Sequence, residues 1–402
     1  MCSELVMDLT RLKQQHKDQA RDWSGLPLDL VKKISDNLSI CDYLCFKNVC
    51  KSWRSYREEK LQRNRGYPCL VMSKENEAQT LSCIILLEKN KIRRQLELPT
   101  CSRGQIWGCI EDWLIIAKPV WEITRIRMSL LNPFTRTEVV LPGTFDVENK
   151  LVFSGDPGKQ NCVYVLYDSM SFNVWIPEAK DWCQCHFDED EVEDYIIDLI
   201  PFKGCFYLLT EDYNIHVLET AYVYSTIQTQ GYEEDIDIQW NEIEMSIDID
   251  IPTEILILRY LVEFGDEILL VIRFLRNDFN ETCDFKVFRL DMCKKKWVEL
   301  DSLGHCVIFL GRNCSRCYSA KELWGSDDMG NCIYFTNGSV LRNSMGRDIK
   351  LSSSIEKDDW GIFRLNSEGG SSERFSYLAN QDKRPPVWLT IPFWRYFNNC
   401  RP

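Results

Sequence analysis

Apolar positions along the chain change period near residue 65. Between Trp23 and Lys60 they recur at helical spacing. Leu30, Val31, Ile34 and Leu38 fall on one face, and after Asp42 a second segment brings Cys45, Val49 and Trp53 round every four residues. Lys47, Lys51, Arg54 and Arg57 lie largely outside that second stripe, as a solvated face does. Pro27 suits a first helical turn, because its fixed φ fits and its missing N–H would be unbonded there, and Asp29 favours the dipole in the same turn. The pattern predicts two or three short helices within about forty residues, which bury little by themselves and need a partner or the rest of the chain. Ahead of them, residues 1–22 are polar, with Leu5, Leu9 and Leu12 as a weak amphipathic stripe or a frayed terminus.

From Tyr67 onward the helical period fades, and short Val, Ile, Leu, Phe, Tyr and Trp runs alternate with polar turns, which predicts strands. Two kinds of unit recur. One is an apolar strand headed by a small or polar residue: 161–167, 204–209 and 331–335. The other is a strand, a polar turn and a return strand: 129–142, 173–182 and 287–300, with a further copy beginning at Trp360. A strand followed by such a hairpin is most of a propeller blade. Cuts near 68, 104, 150, 196, 255 and 305 give about six blades, five or seven being compatible, and a β-sandwich array is the competing fold. The expected fold is therefore a small all-α helical module followed by an all-β domain, a divergent β-propeller of about six blades. Kelch-type glycine pairs are no guide here, since Gly369-Gly370 stands alone.

Composition narrows the function classes. Lys and Arg number 48 against 61 Asp and Glu, a net charge of −13, which argues against a nucleic-acid binder that must displace counterions from phosphate. No apolar run approaches the roughly 20 residues of a membrane helix, and the N-terminus lacks the pattern of a signal peptide. Nineteen cysteines, an odd number without regular spacing and many in apolar contexts, read as reduced thiols. The expectation is a soluble intracellular protein of the cytoplasm and/or nucleus, with no nucleic acid and no membrane as partner. The acidic stretches 188–194 and 233–237 read as solvated insertion loops.

Residues 23–59 resemble an F-box. Leu26-Pro27, Asp29-Leu30, Ile34, Leu38, Asp42 with Leu44, and Val49-Cys50-Lys51-Ser52-Trp53-Arg54 carry the match, while Cys45-Phe46 departs from the basic residue usual there. The remainder resembles the plant F-box-associated domain of unknown function, a β-propeller by expectation. Its passages are Leu130-Leu-Asn-Pro-Phe-Thr with Leu141-Pro142, Val307–Gly311 leading to Gly330–Phe335, and Val387–Pro392. The resemblance implies a substrate-recognition subunit of an SCF-type (Skp–cullin–F-box) ubiquitin ligase. The F-box would bind a Skp-family adaptor, and cullin through it, while the second domain holds a target protein whose identity is unknown. Adaptor contacts are then expected at Leu26, Pro27, Leu30, Ile34, Leu38, Leu44, Val49 and Trp53, some of which must instead form the module's own core. Domain limits are read as 1–22 polar segment, 23–63 F-box, 67–397 β-domain and 398–402 tail.

Candidate chemistry is thin. Cys314-Ser-Arg-Cys317 follows His305-Cys306, but a structural zinc site usually shows two tight pairs and only one occurs. In Cys183-Gln-Cys185-His186 a strand would put the cysteines on one face and the histidine on the other. No nucleophile elbow, zincin, P-loop or dinucleotide motif occurs. The expectation is a non-catalytic protein with no cofactor, no metal and no catalytic residue; the alternative is a ligase-independent propeller that binds a small molecule or carbohydrate. The aromatics Trp388, Phe393, Trp394, Tyr396 and Phe397 read as a closing strand and its packing, or as an exposed anchor. Because an unclosed ring leaves an open sheet edge, Val387–Ile391 is expected to pair within the first blade, beside Pro68–Met72.

Overall fold

Strands form wherever the alternating apolar runs occur, and neighbours in sequence pair with one another. The computed structural model describes residues 23–35, 46, 49–50, 53, 67–73, 81–87, 91–98, 105–120, 125–132, 135–146, 149–157, 159–186, 195–230, 235–252, 255–276, 281–311, 315–324, 327–336, 341–342, 348–349, 359–365, 371–374 and 387–391. The chain divides into two compact units, residues 1–64 with 322–325, and residues 65–321 with 326–402.

In the first unit a 3-10 turn, Trp23–Gly25, precedes helix α1 (Leu28–Ser35). The amides of Leu30 and Val31 both donate to the Pro27 carbonyl, at 3.0 and 3.1 Å, so Pro27 stands just before the helix and Asp29 lies in its first turn. Val31 and Ser35, one turn apart, are the buried residues of α1, and the Ser35 hydroxyl closes on the Lys32 carbonyl at 2.9 Å. Leu30 and Ile34 sit on a neighbouring face and are exposed, so the single apolar face expected across Leu30, Val31 and Ile34 is split in two. Phe46 and Trp53 are buried and stacked, ring centroids 4.4 Å apart. Leu38, Leu44, Cys45 and the 1–22 segment lie outside the described residues.

The second unit opens with β1 (Tyr67–Ser73), β2 (Leu81–Leu87) and β3 (Lys91–Leu98), an antiparallel meander. β4 (Gln105–Ile110), β5 (Trp113–Pro119), β6 (Ile126–Asn132) and β7 (Thr137–Val140) make the next sheet, and β8 (Lys150–Phe153), β9 (Tyr164–Tyr167), β10 (Phe172–Trp175) and β11 (Cys183–His186) another. β12 (Ile196–Phe202), β13 (Cys205–Thr210) and β14 (Ile215–Glu219) follow, then helix α2 (Thr220–Gln230). β15 (Asp235–Asp237) runs back to lie parallel on β11, and β16 (Asn241–Ile243) completes the sheet of β12–β14. β17 (Ser246–Ile247) precedes the long strands β18 (Ile255–Phe264), β19 (Glu267–Arg276) and β20 (Glu281–Asp291), and pairs in parallel with β21 (Lys296–Glu299) beside them. Thus β15 and β17 each cover an outer sheet edge that would otherwise present unpaired backbone.

The last group contains β22 (Cys306–Leu310), β23 (Arg316–Ser319), β24 (Cys332–Phe335), a separate hairpin β25 (Leu341–Arg342) with β26 (Asp348–Ile349), then β27 (Gly361–Arg364) and β28 (Ser371–Arg374). Its order is β23-β22-β24-β27-β28, joined to β18 through the single pairing of Glu263 with Arg316. β22 and β24 are parallel, Val307 opposite Cys332 and Leu310 opposite Phe335. Asn331, at φ 56°, locks the start of β24: its amide donates to Cys306, its Oδ1 accepts from the Leu303 amide at 2.8 Å and its Nδ2 donates to the Leu365 carbonyl at 2.7 Å. A side chain at the preceding Gly330 would meet the Gly304 carbonyl at 2.6 Å, so glycine is required there. Finally β29 (Val387–Ile391) pairs antiparallel with β1, Leu70 opposite Trp388, which places the closing strand where the sequence expectation put it.

Adjacent sheets are tied by indole N–H groups. Trp182 donates to the Pro142 carbonyl at 3.0 Å, Trp297 to Tyr213 at 2.9 Å and Trp388 to Leu310 at 2.9 Å, each reaching from one sheet to its neighbour. Two buried charges tie sheets as well. Arg273 donates to Thr282 Oγ1 at 2.7 Å, the Thr336 carbonyl at 2.8 Å and Asp359 Oδ2 at 2.7 Å, with burial lowering the guanidinium's proton affinity. Asp198 accepts from Lys150 Nζ at 3.2 Å, Tyr167 Oη at 3.1 Å and the Leu261 amide at 2.9 Å, joining β8 and β9, β12 and β18.

The domain read as all-β also holds α2. Thr220-Ala-Tyr-Val-Tyr-Ser-Thr-Ile is rich in β-branched and aromatic residues and reads as a strand, yet Val223, Thr226 and Ile227 are buried at helical spacing and tertiary packing overrides propensity. The acidic stretch 233–237 is likewise more than a solvated loop, because Asp235–Asp237 is a strand whose Ile236 is buried.

Candidate functional site

The expected adaptor residues separate by exposure. Leu30 is 48% exposed, Ile34 39% and Val49 49%, whereas Trp53 is 7% exposed; Leu28, which was not among the expected residues, is 68% exposed. Pro27 is exposed and Leu26 half-buried. Trp53 is stacked on Phe46 in the unit's interior, as expected of those members of the set that form the module's own core; Leu38 and Leu44 lie outside the described residues. Leu30 and Ile34, one turn apart on α1, are exposed apolar side chains of the kind that helix-in-groove recognition covers. Phe46, read from sequence as a departure in pattern, turns out to be a core residue, and its pairing with Trp53 seven positions on was the available helical signal.

In the second unit the first strands of successive sheets converge on a cavity of about 390 Å³. Val152, Leu199 and Leu261 back it but are almost completely buried, so the surface it exposes is more polar than apolar, with polar groups from turns and strand ends. The turns after β4, β12 and β18 are two-residue hairpin loops, Glu111-Asp112, Lys203-Gly204 and Gly265-Asp266, each with its first residue at positive φ: 55°, 49° and 59°. Only one of the three has glycine at that position, so the usual turn signal is missing from the sequence at Glu111 and Lys203. Both of these charged residues face the cavity.

Electrostatics at the cavity are paired. Lys203 Nζ meets Asp266 Oδ1 at 3.0 Å on the rim. Arg316, largely covered, reaches Glu111 Oε1 through Nη2 and Glu263 Oε2 through Nη1, the latter at 4.0 Å. Asp198 forms part of the wall with both oxygens engaged, and burial, then the Asp198 charge, drive the Tyr167 phenol well above its ordinary value. Sequence reading singled out none of these residues. The signal lay in three strand–dipeptide–strand turns placed alike at the head of three sheets.

The cysteine motifs are distributed as packing. Cys183 and Cys185 are buried on one face of β11; burial raises both, Cys185 far above its usual range. Cys306 and Cys317 are diagonal neighbours across β22 and β23, Cys306 opposite Ser319 and Cys317 opposite Ile308, and their mutual hydrogen bond with burial raises Cys317 as well. Protonated thiols of this kind are poor ligands and poor nucleophiles. Cys314 lies outside the described residues, among which no group of three His, Cys, Asp or Glu is placed to hold a metal ion. His216 is buried beside its cross-strand partner Glu242, at 3.9 Å, and edge-on to Trp240. No helix among the described residues is long and apolar enough to cross a membrane.

This pairing of a helical module with a β-domain matches known proteins in both parts. Residues 23–56 match the F-box domain, and an F-box joined to a β-propeller defines, as a class, the substrate-recognition proteins of SCF complexes, with a Skp-family adaptor as the implied partner. Residues 84–364 match the KIB1-4 beta-propeller, and the chain belongs to that family. It is similar to plant F-box proteins of Arabidopsis thaliana: F-box protein At2g26160, 24% identical over 80% of this chain and 98% of that one, and F-box protein SKIP23, 22% identical over 92% and 96%. F-box/kelch-repeat protein At1g57790, from the same plant, is 24% identical over 78% of this chain and 82% of its own length. Among solved structures, the β-propeller domain of the Trilobed protease from Pyrococcus furiosus is 8% identical, covering 78% of this chain and 96% of that chain at a TM-score of 0.34.

Proposed function

We propose that this protein is the substrate-recognition subunit of an SCF-type ubiquitin ligase. The F-box, residues 23–63, binds a Skp-family adaptor and through it cullin, and the domain of residues 67–397, a propeller of six blades with the ten-stranded sheet counted as two, holds a target protein. The protein itself performs no chemistry and raises the local concentration of target near a charged conjugating enzyme, in the cytoplasm and/or nucleus. The observation that supports this best is the exposed apolar set Leu28, Leu30, Ile34 and Val49 on a unit whose own core rests on Val31, Phe46 and Trp53. Leu26, Pro27, Leu30, Ile34, Leu38, Leu44 and Val49 form the adaptor contact, and Trp53 supports it from beneath.

Full-length protein carrying Leu26→Ala with Pro27→Ala is expected to lose capture of the purified adaptor while its β-domain melts unchanged. Capture at full strength by the double variant rejects the assignment.

A further inference from the structure

We propose that β23 is a strap across the central cavity, latched through Arg316, that swings away from β18 while the rest of the β-domain stays folded. The device belongs to the β-domain alone and stands whether or not the F-box binds an adaptor. Among the described residues, three of the six sheets carry a fifth strand. In two of them it is β15 or β17, on the outer edge. In the sixth it is β23, on the edge that meets β18, where Ser315 and Arg316 form part of the cavity wall. A strand in that place narrows the cavity, whose volume of about 390 Å³ is near the small end of the roughly 300–1,000 Å³ typical of ligand sites.

The two sides of β23 are held unequally. Toward β22 it has four registered pairs, from Cys306 opposite Ser319 to Phe309 opposite Arg316, and the Tyr318 ring lies edge-on to Phe309 at 5.6 Å. Just beyond its end the Ala320 amide donates to the His305 carbonyl at 2.8 Å. Toward β18 one pair is registered, Glu263 with Arg316. β22 is buried throughout, whereas all four residues of β23 are half-buried. The seam between β18 and β23 is therefore the weak line, and opening it leaves the β22–β23 hairpin intact.

Charge closes that seam. Arg316, at the head of β23, meets Glu111 from the turn after β4 and Glu263 from β18, so one guanidinium ties three sheets across the cavity mouth. Glu111 is half-exposed, and ion pairs in such a setting are weak and screened by salt. Side chains alternate along the strand, so Cys317 points to the opposite side from Arg316, against the core cluster that holds Val262 of β18 and Ile308 of β22. When the strap swings, the cavity loses its Arg316 wall and the Cys317 thiol meets solvent. Cys317 is thus a reporter built into the strap.

Labelling of the native full-length protein with N-ethylmaleimide, read cysteine by cysteine by peptide mass spectrometry, tests the strap. Exposed Cys293 and buried Cys332 set the two limits, free access and global unfolding. Cys317 is expected to react more slowly than Cys293 and faster than Cys332, and to speed up about tenfold between roughly 0.02 and 0.5 M sodium chloride. Glu111→Gln, which keeps the turn and its size, is expected to raise the Cys317 rate about tenfold at low salt and to flatten its salt dependence. Glu263→Gln is expected to act in the same direction, and both control cysteines to keep their rates. Cys317 reacting at the rate of either control in the wild type, or at a rate that either salt or Glu111→Gln leaves unmoved, overturns the strap. So does an acceleration shared with Cys332, which marks loosening of the whole domain.

Discussion

The two units solve the problem of apolar surface in opposite ways. Among its described residues the F-box unit buries the apolar side chains of Val31, Phe46 and Trp53 and leaves Leu28, Leu30, Ile34 and Val49 facing water. The β-domain buries β19 with all but its ends covered, half-buries its long neighbours β18 and β20, and caps outer edges with β15 and β17. The β-domain's chain returns to its own beginning, whereas the first unit, on the reading proposed above, is covered by a partner. Residues that look alike in sequence, such as Ile34 and Ile272, therefore carry different meanings: the first is offered, the second is spent on the core.

The sharpest way to break this contrast is to remove the closing strand. A chain ending at Arg384 lacks β29, its register with β1 and the Trp388 indole bond to Leu310. The β-domain is then expected to lose its cooperative melting transition, a loss on the scale of the roughly 5–15 kcal/mol that holds a whole domain. A truncated protein that melts like the full-length one defeats the closure account. Asp198→Ala comes next. It strands Lys150, the Tyr167 hydroxyl and the Leu261 amide, and an expected loss of about 3–5 kcal/mol appears as a lower denaturant midpoint.

Within the F-box unit the same experiment separates interior from surface. Trp53→Ala opens a cavity under Phe46 and is expected to cost about 3–5 kcal/mol. Ile34→Asp is expected to leave the melting temperature within error while abolishing adaptor capture. If both variants melt alike, the division of this unit into core and contact is wrong.

A smaller effect sharpens the comparison by pH. Burial pushes the Cys162 thiol to about 11 and that of Cys332 to about 12, from an ordinary value near 9. Folded-state values raised above the unfolded ones mean that this stability is complete below pH 9 and is lost as pH rises through 9 toward 11, where only the unfolded chain deprotonates. The slope is about 1.4 kcal/mol per pH unit for each such thiol. Melting temperatures of the β-domain recorded between pH 8 and 11 (approximate limits set by these values) are expected to fall, and to fall less steeply in Cys162→Ala.

Much of the scaffold could be read from the chain because period and burial go together. Strands start at Tyr67, Gln105, Lys150, Ile196, Ile255 and Cys306, within about one residue of the breaks between apolar runs. The Gly330–Phe335 passage stood out because Asn331 and Gly330 each meet a geometric demand that few residues satisfy. What stayed hidden depends on who the neighbours are. Leu30 and Val31 are equally apolar, and only the fold decides which one faces inward. Nothing local in Thr220–Gln230 announces a helix, since the surface that selects it belongs to another sheet. The cavity was the least legible part, because Glu111, Asp198, Glu263 and Arg316 come together from distant segments whose spacing carries no repeat.

The pairing of β29 with β1 also sets a timetable for biosynthesis. During translation β29 follows β1–β3 by nearly the whole domain, so the first sheet must wait, edge exposed, until it is made. Helix α1, whose first turn closes on the adjacent Pro27 carbonyl, has no such delay. On the reading proposed above, a nascent chain thus presents its adaptor-binding surface well before its target-binding domain exists, and the cell holds for that interval a recruiter with nothing yet to recruit.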